Sequence, residues 1–108
     1  MIEFLKKLFG MGPETDFQKL KMEGAVIVDV RSKQEYKQGH IKDSLNIPLD
    51  TLQNNLTLLK SKKTIITCCA SGMRSRMANT ILKKNGFTSV YNGGGWNNLE
   101  KKLLKSKK

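Results

Sequence analysis

The sequence predicts an α/β domain built on a mostly parallel sheet with helices packed against it. Short β-branched runs alternate with amphipathic stretches along the 108 residues. Strands separated by helices pair in parallel through crossover connections. The clearest run is almost continuously apolar, as a strand covered on both faces is. Composition agrees, since 38% hydrophobic and 27% charged residues with only 2 prolines describe a globular chain of one domain. Such a chain is large enough to bury a core without disulfides or a structural metal.

In chain order, residues 1–12 form a short amphipathic segment in which Phe4, Leu5, Leu8 and Phe9 share a face. It is expected to pack on the domain, because so short a segment with so little net charge holds a membrane surface weakly. The domain is expected over 13–104 and a basic tail over 105–108. Thr15 and Gln18 have capping-box spacing and open a first helix. Ala25-Val26-Ile27-Val28-Asp29-Val30 is the first strand, and Ser32 with Glu35 opens the next helix. Ser44 to Leu49 is a second strand that Pro48 ends or confines to an edge. Asp50 is the expected N-cap of a helix carrying Leu52, Leu56 and Leu59. Thr64 to Cys68 is the third strand. Met77, Ile81 and Leu82 mark the apolar face of the helix after it, which ends at Lys83-Lys84-Asn85 before Gly86. Ser89-Val90-Tyr91 is the fourth strand, and Gly93-Gly94-Gly95 reads as a turn before the last helix.

The balance of 20 Lys+Arg against 9 Asp+Glu, a net charge of +11, favours anionic partners without choosing among them. Aromatic residues make up 6% of the chain, too few to stack bases between the basic residues, so no nucleic-acid partner is expected. The excess at Lys60, Lys62 and Lys63, and at Lys101, Lys102, Lys105, Lys107 and Lys108, reads as a solvating surface. No apolar run approaches the roughly 18 residues of a spanning helix. MIEFLKKLFG has lysines inside its apolar stretch and no small-residue cleavage site, so a secretory signal is not expected. Two adjacent cysteines then point to a reducing cytoplasm with free thiols.

The chemistry is concentrated in Thr67-Cys68-Cys69-Ala70-Ser71-Gly72-Met73-Arg74-Ser75. A strand runs into a small-residue turn and a helix follows, which places Cys69 at the carboxyl end of a strand, where open α/β sheets bind ligands. The N–H groups of Ala70, Ser71, Gly72, Met73, Arg74 and Ser75 can converge on one point at the positive end of the helix. A thiol in such a cradle ionises more readily than a free one. Gly72 lets the loop close, and Arg74 adds a planar cation suited to oxyanions. Strand alternation puts Cys68 in the core as a small hydrophobe. A disulfide between neighbours would be strained, and two cysteines with one distant histidine are no metal-ligand set. His40 reads as a turn histidine bonded to backbone. Asp29 and Arg31 read as supports at the strand end, with Arg74 or Arg76 as partner for Asp29.

Cys69-Ala70-Ser71-Gly72-Met73-Arg74-Ser75 resembles the active-site loop of the rhodanese-like sulfurtransferases, Cys-x-x-Gly-x-Arg-Ser. Val28-Asp29-Val30-Arg31, Glu35-Tyr36, Gly39-His40-Ile41 and Asn46-Ile47-Pro48 are similar to a second family block. Gly86-Phe87, Val90 and Gly94-Gly95 are similar to a third, and the three cover roughly residues 14 to 100 in the expected order. The resemblance implies a three-layer α/β sandwich. It also implies transfer of a sulfane sulfur from thiosulfate, polysulfide or a persulfide to cyanide or a thiol, through a persulfide on Cys69 and without a cofactor. Small anionic donors, and protein donors or acceptors, are the implied partners. The loop of six residues from Cys69 to Arg74 is shorter by one than that of related phosphatases and arsenate reductases. Ala70 stands where members that use thiosulfate well carry a basic residue. Leu99 stands where the family often has Trp, with Trp96 earlier. The rival readings are a non-catalytic partner-binding module of the same fold, an arsenate reductase or phosphatase, and a redox protein using both cysteines.

Overall fold

A computed structural model describes residues 15–104. The segment over 1–12 and the tail over 105–108 expected from the sequence lie outside the described residues. The elements follow as α1 (Phe17–Met22), β1 (Val26–Asp29), α2 (Lys33–Gln38), β2 (Leu45–Asn46) and α3 (Leu49–Leu52), which continues as a 3-10 segment (Gln53–Leu59). Then come β3 (Ile65–Cys69), α4 (Met73–Lys84), β4 (Val90–Gly95) and α5 (Trp96–Leu104). All strand pairs are parallel, in the order β2-β1-β3-β4.

Alternation along the strands sends successive side chains into two cores, one on each side of the sheet. On one side Val28, Val30, Ile65 and Cys69 pack with Leu52, Leu59, Ala78 and Leu82 from α3, the 3-10 segment and α4. On the other, Ile27, Ile66 and Cys68 pack with Phe17 of α1 and Leu99 of α5. The result is the three-layer sandwich. β2 is a short edge strand that stops before Pro48, which has no N–H for the ladder.

Several boundaries differ from the sequence reading. Asp16, not Thr15, caps α1 by accepting from Lys19 N at 3.0 Å. Asp50 lies in the first turn of α3, whose N-cap position falls to Pro48. The Leu52–Leu59 stretch leaves α geometry at Gln53 and kinks at Asn55 (φ −124°, ψ 21°). Met77 is 54% exposed, because the buried stripe of α4 is Ser75, Ala78, Asn79 and Leu82. Two of those four are polar, so apolar periodicity alone misplaced the face. Gly93-Gly94-Gly95 belongs to β4 rather than to a turn. Thr67 pairs with Asn92 and Cys69 with Gly95, so β4 bulges by one residue before α5 begins.

Leu99 is fully buried on the α1–α5 side of the sheet, in one core with Phe17, Ile27, Ile66 and Cys68. Leu99→Ala is expected to cost about 2–5 kcal/mol by urea denaturation, with an unchanged m-value.

Candidate active site

Cys69 ends β3, and Gly72 leads into α4 in the left-handed conformation (φ 103°), which a side chain would disfavour. No side chain caps α4 at Gly72. The Cys69 sulfur fills that role. It accepts from Gly72 N at 2.9 Å and from Ser75 N, the third residue of the helix, at 3.4 Å. The Ser75 hydroxyl lies 3.7 Å from the sulfur. At Gly95 the loop passes so close to β4 that a Cβ would meet Ala70 O at 2.9 Å.

Burial raises the Cys69 pKa, and its hydrogen bonds with the Ser75 N–H and side chain and with the Gly72 and Ser71 amides outweigh it, so the thiol ionises below its ordinary value. The neighbouring Cys68 is pushed up, chiefly by burial and then by the Asp29 charge on the same face of the sheet. Both thiols are free. One residue of strand separates a thiol whose ionisation is favoured from one whose ionisation is opposed.

A polar network holds Ser75 from below. Ser75 Oγ donates to Asn92 Oδ1 at 2.6 Å, and the same Asn92 oxygen accepts from Gly94 N at 2.8 Å. Asn79, with its amide nitrogen facing Thr67 Oγ1 at 2.6 Å and Ser75 O at 3.3 Å, accepts from Asn92 N at 3.1 Å. Thr67, Ser75 and Asn79 are buried, so an unpaired group here would be costly. Asn79 and Asn92 were not legible as site residues. Each is a lone asparagine in a helical or strand pattern, and only the packing of α4 on β4 brings them together.

Arg74 does not pair with Asp29, and neither does Arg76. Glu35 in the first turn of α2 takes Arg74 in a bidentate pair at 2.8 and 3.0 Å. The same carboxylate closes the capping box of α2 with Ser32. Asp29 stands opposite Cys68 in register, on the α1–α5 side of the sheet, whereas Arg74 belongs to α4 on the other side. Asp29 instead holds Arg31, two residues on along the same face, with contacts at 2.9 and 2.8 Å. Arg31 also donates to Gly39 O at 2.7 Å and lies 4.7 Å from the centre of the Trp96 ring. Asp29 and Arg31 thus join β1, α2 and α5 beneath the loop. His40 stacks on Tyr36 and donates from Nδ1 to Tyr36 O at 2.7 Å, the backbone-bonded turn residue expected. No cluster of three or more metal-ligating side chains occurs among the described residues.

A cysteine sulfur held by amides at a strand-to-helix turn of a parallel sheet is an arrangement that favours an anionic sulfur. A rhodanese-like domain model matches residues 14–102, and the chain belongs to that family. It is 31% identical to a rhodanese from E. coli solved with anions, covering 69% of this chain and 91% of that one at a TM-score of 0.65. A human single-domain sulfurtransferase, TSTD1, is 25% identical over 81% of this chain and 88% of its own, with a TM-score of 0.62. The tRNA uridine(34) hydroxylase of Aster yellows witches'-broom phytoplasma is 34% identical over 75% of this chain. The chain spans only 28% of that protein's length.

Two predictions follow from the geometry. The rate of Cys69 alkylation by iodoacetamide should rise with pH to an inflection below that of an ordinary thiol. Arg74, through its hydrogen bonds, and Ser32 hold the Glu35 carboxyl down at about 2, against an ordinary 4.5. A depressed carboxylate stabilises the fold above its unfolded pKa and ceases to do so as pH falls through its folded one. The stability gap between wild type and Glu35→Gln, followed by thermal unfolding, should therefore narrow from about pH 4.5 down to about 2. A gap that widened there would contradict the pairing.

Proposed function

We propose that the protein is a sulfurtransferase that carries a sulfane sulfur on Cys69. The observation that carries this reading is the Cys69 sulfur, fully buried yet accepting from the Gly72 and Ser75 amides at 2.9 and 3.4 Å. The Cys69 thiolate attacks the outer sulfur of a donor such as thiosulfate or a polysulfide. The donor's sulfur–sulfur bond breaks, and its electron pair leaves with sulfite or the shortened polysulfide. The persulfide then gives its outer sulfur to cyanide or a thiol, and the electron pair of the broken bond returns to Cys69. The loop amides stabilise the anionic sulfur in both steps. An already ionised thiol needs no general base, in keeping with a His40 committed to Tyr36 O. Ala70 leaves the loop without a second cation beside Arg74, which favours polysulfide or persulfide donors over thiosulfate.

The rhodanese from E. coli was solved with anions, and an amide cradle of the kind around Cys69 suits an anionic ligand. The intact Cys69 loop disfavours a purely partner-binding module. The opposite facing of Cys68 and Cys69 disfavours a redox pair. The expected setting is a reducing cytoplasm, and no cofactor enters the scheme.

Intact-protein mass spectrometry after incubation with thiosulfate or polysulfide tests the scheme. Gain of one sulfur is expected in wild type and in Cys68→Ala, reversed by cyanide with release of thiocyanate, and lost in Cys69→Ser. A folded protein whose alkylatable Cys69 gains no sulfur from any donor would sink the proposal.

A further inference from the structure

Beside the Cys69 loop, the carboxyl ends of β1 and β2 enclose a groove of ≈ 570 Å³. Val30, Pro48 and Leu49 supply its apolar lining, and Arg74 borders it on the side of the loop. It lies at the carboxyl edge of the sheet, where the chain goes from β1 to β2 on one side and on to β3 on the other. Open α/β sheets place ligands at such reversals. Its volume falls within the range of small-ligand sites, roughly 300–1,000 Å³.

Charge specifies the ligand further. Arg74 is already balanced by Glu35. The remaining charged groups of the groove are Lys33 and Asp50, both exposed, and neither forms an ion pair among the described residues. One cation and one anion beside an apolar lining suit a molecule that carries both a carboxylate and an ammonium. Thiosulfate and cyanide have neither an ammonium nor an organic part, and make no use of such a groove.

We propose that this groove binds the organic part of the sulfur acceptor, a zwitterionic amino-acid or peptide thiol, with Lys33 receiving its carboxylate and Asp50 its ammonium. The inference rests on the Cys69 persulfide. The seated thiolate attacks the outer sulfur, the bond between the two sulfurs breaks with its electron pair returning to Cys69, and the acceptor leaves as a persulfide. No oxidant is consumed.

The test uses the full chain loaded with sulfur beforehand, so that donor binding does not enter. Sulfur release is followed against the concentration of four acceptors: glutathione, cysteamine, 3-mercaptopropionate and cyanide. Asp50→Asn is expected to raise the half-saturating concentration about three- to fivefold for glutathione and cysteamine, which carry an ammonium, and to leave 3-mercaptopropionate and cyanide unchanged. Lys33→Gln should do so for glutathione and 3-mercaptopropionate, which carry a carboxylate, and spare cysteamine and cyanide. Variants that change all four acceptors alike, or none, overturn the groove assignment. So does a wild type that gives sulfur to cyanide and to no thiol. A wild type that cannot be loaded, or that releases no thiocyanate with cyanide, overturns the persulfide reading itself.

Discussion

The Ser75 amide in the first turn of α4 and the Gly72 amide before it share one acceptor, the Cys69 sulfur, and the shape of the site follows from that. A helix begins with N–H groups that need partners, and a Ser, Thr, Asp or Asn side chain usually supplies one. Here the position before the helix is Gly72, which has no side chain to offer. The sulfur at the end of the preceding strand takes the place of the cap. Loop and anion therefore stabilise each other. The loop keeps its form because Ser75 N–H and Gly72 N–H point at sulfur, and the thiolate is favoured because those donors and the helix dipole already face it. A persulfide carried on the same atom would meet the same field.

Two ion pairs hold this arrangement. The Asp29–Arg31 pair is buried and joins β1 to the end of α2 and the start of α5. Its carboxylate and guanidinium are desolvated, so loss of either partner would strand a buried charge, a larger effect than the net value of the pair. The Glu35–Arg74 pair is more exposed and contributes less to stability. Its role is geometric: one carboxylate both caps α2 and fixes the side chain that borders the loop. The active loop is thereby tied to β1 through α2 as well as to β4 through Asn92 and Gly95.

Cys68 and Cys69 illustrate how little of their chemistry is intrinsic. Both are fully buried, adjacent and unpaired. Strand alternation sends Cys68 into the α1–α5 core, where burial and the Asp29 charge oppose ionisation. It sends Cys69 toward α4, where amide donors overcome the same penalty. The difference between a thiol that resists ionisation and one that favours it is one residue of strand and the donors that the neighbouring helix aims at it.

Local patterns in the chain determined the alternating strands and helices, the parallel sheet, the edge character of the strand before Pro48, the Ser32–Glu35 capping box and the loop after Cys69. Each is written within a few consecutive residues, by β-branched runs, capping spacing or the lack of a proline N–H. Only the tertiary structure decided which distant groups meet. Asp29 could not be assigned to Arg31, nor Arg74 to Glu35, without the register that puts Asp29 and Cys68 on one face and α4 on the other. Met77 looked like core because apolar spacing cannot show that Ser75 and Asn79 are buried by their hydrogen bonds to Thr67 and Asn92. The bulge at Gly93-Gly94-Gly95 is equally invisible in sequence, since it exists only as a mismatch between β4 and β3. Short-range stereochemistry is a property of the chain, while partner choice between segments depends on the three-dimensional packing that brings them to one side of the sheet.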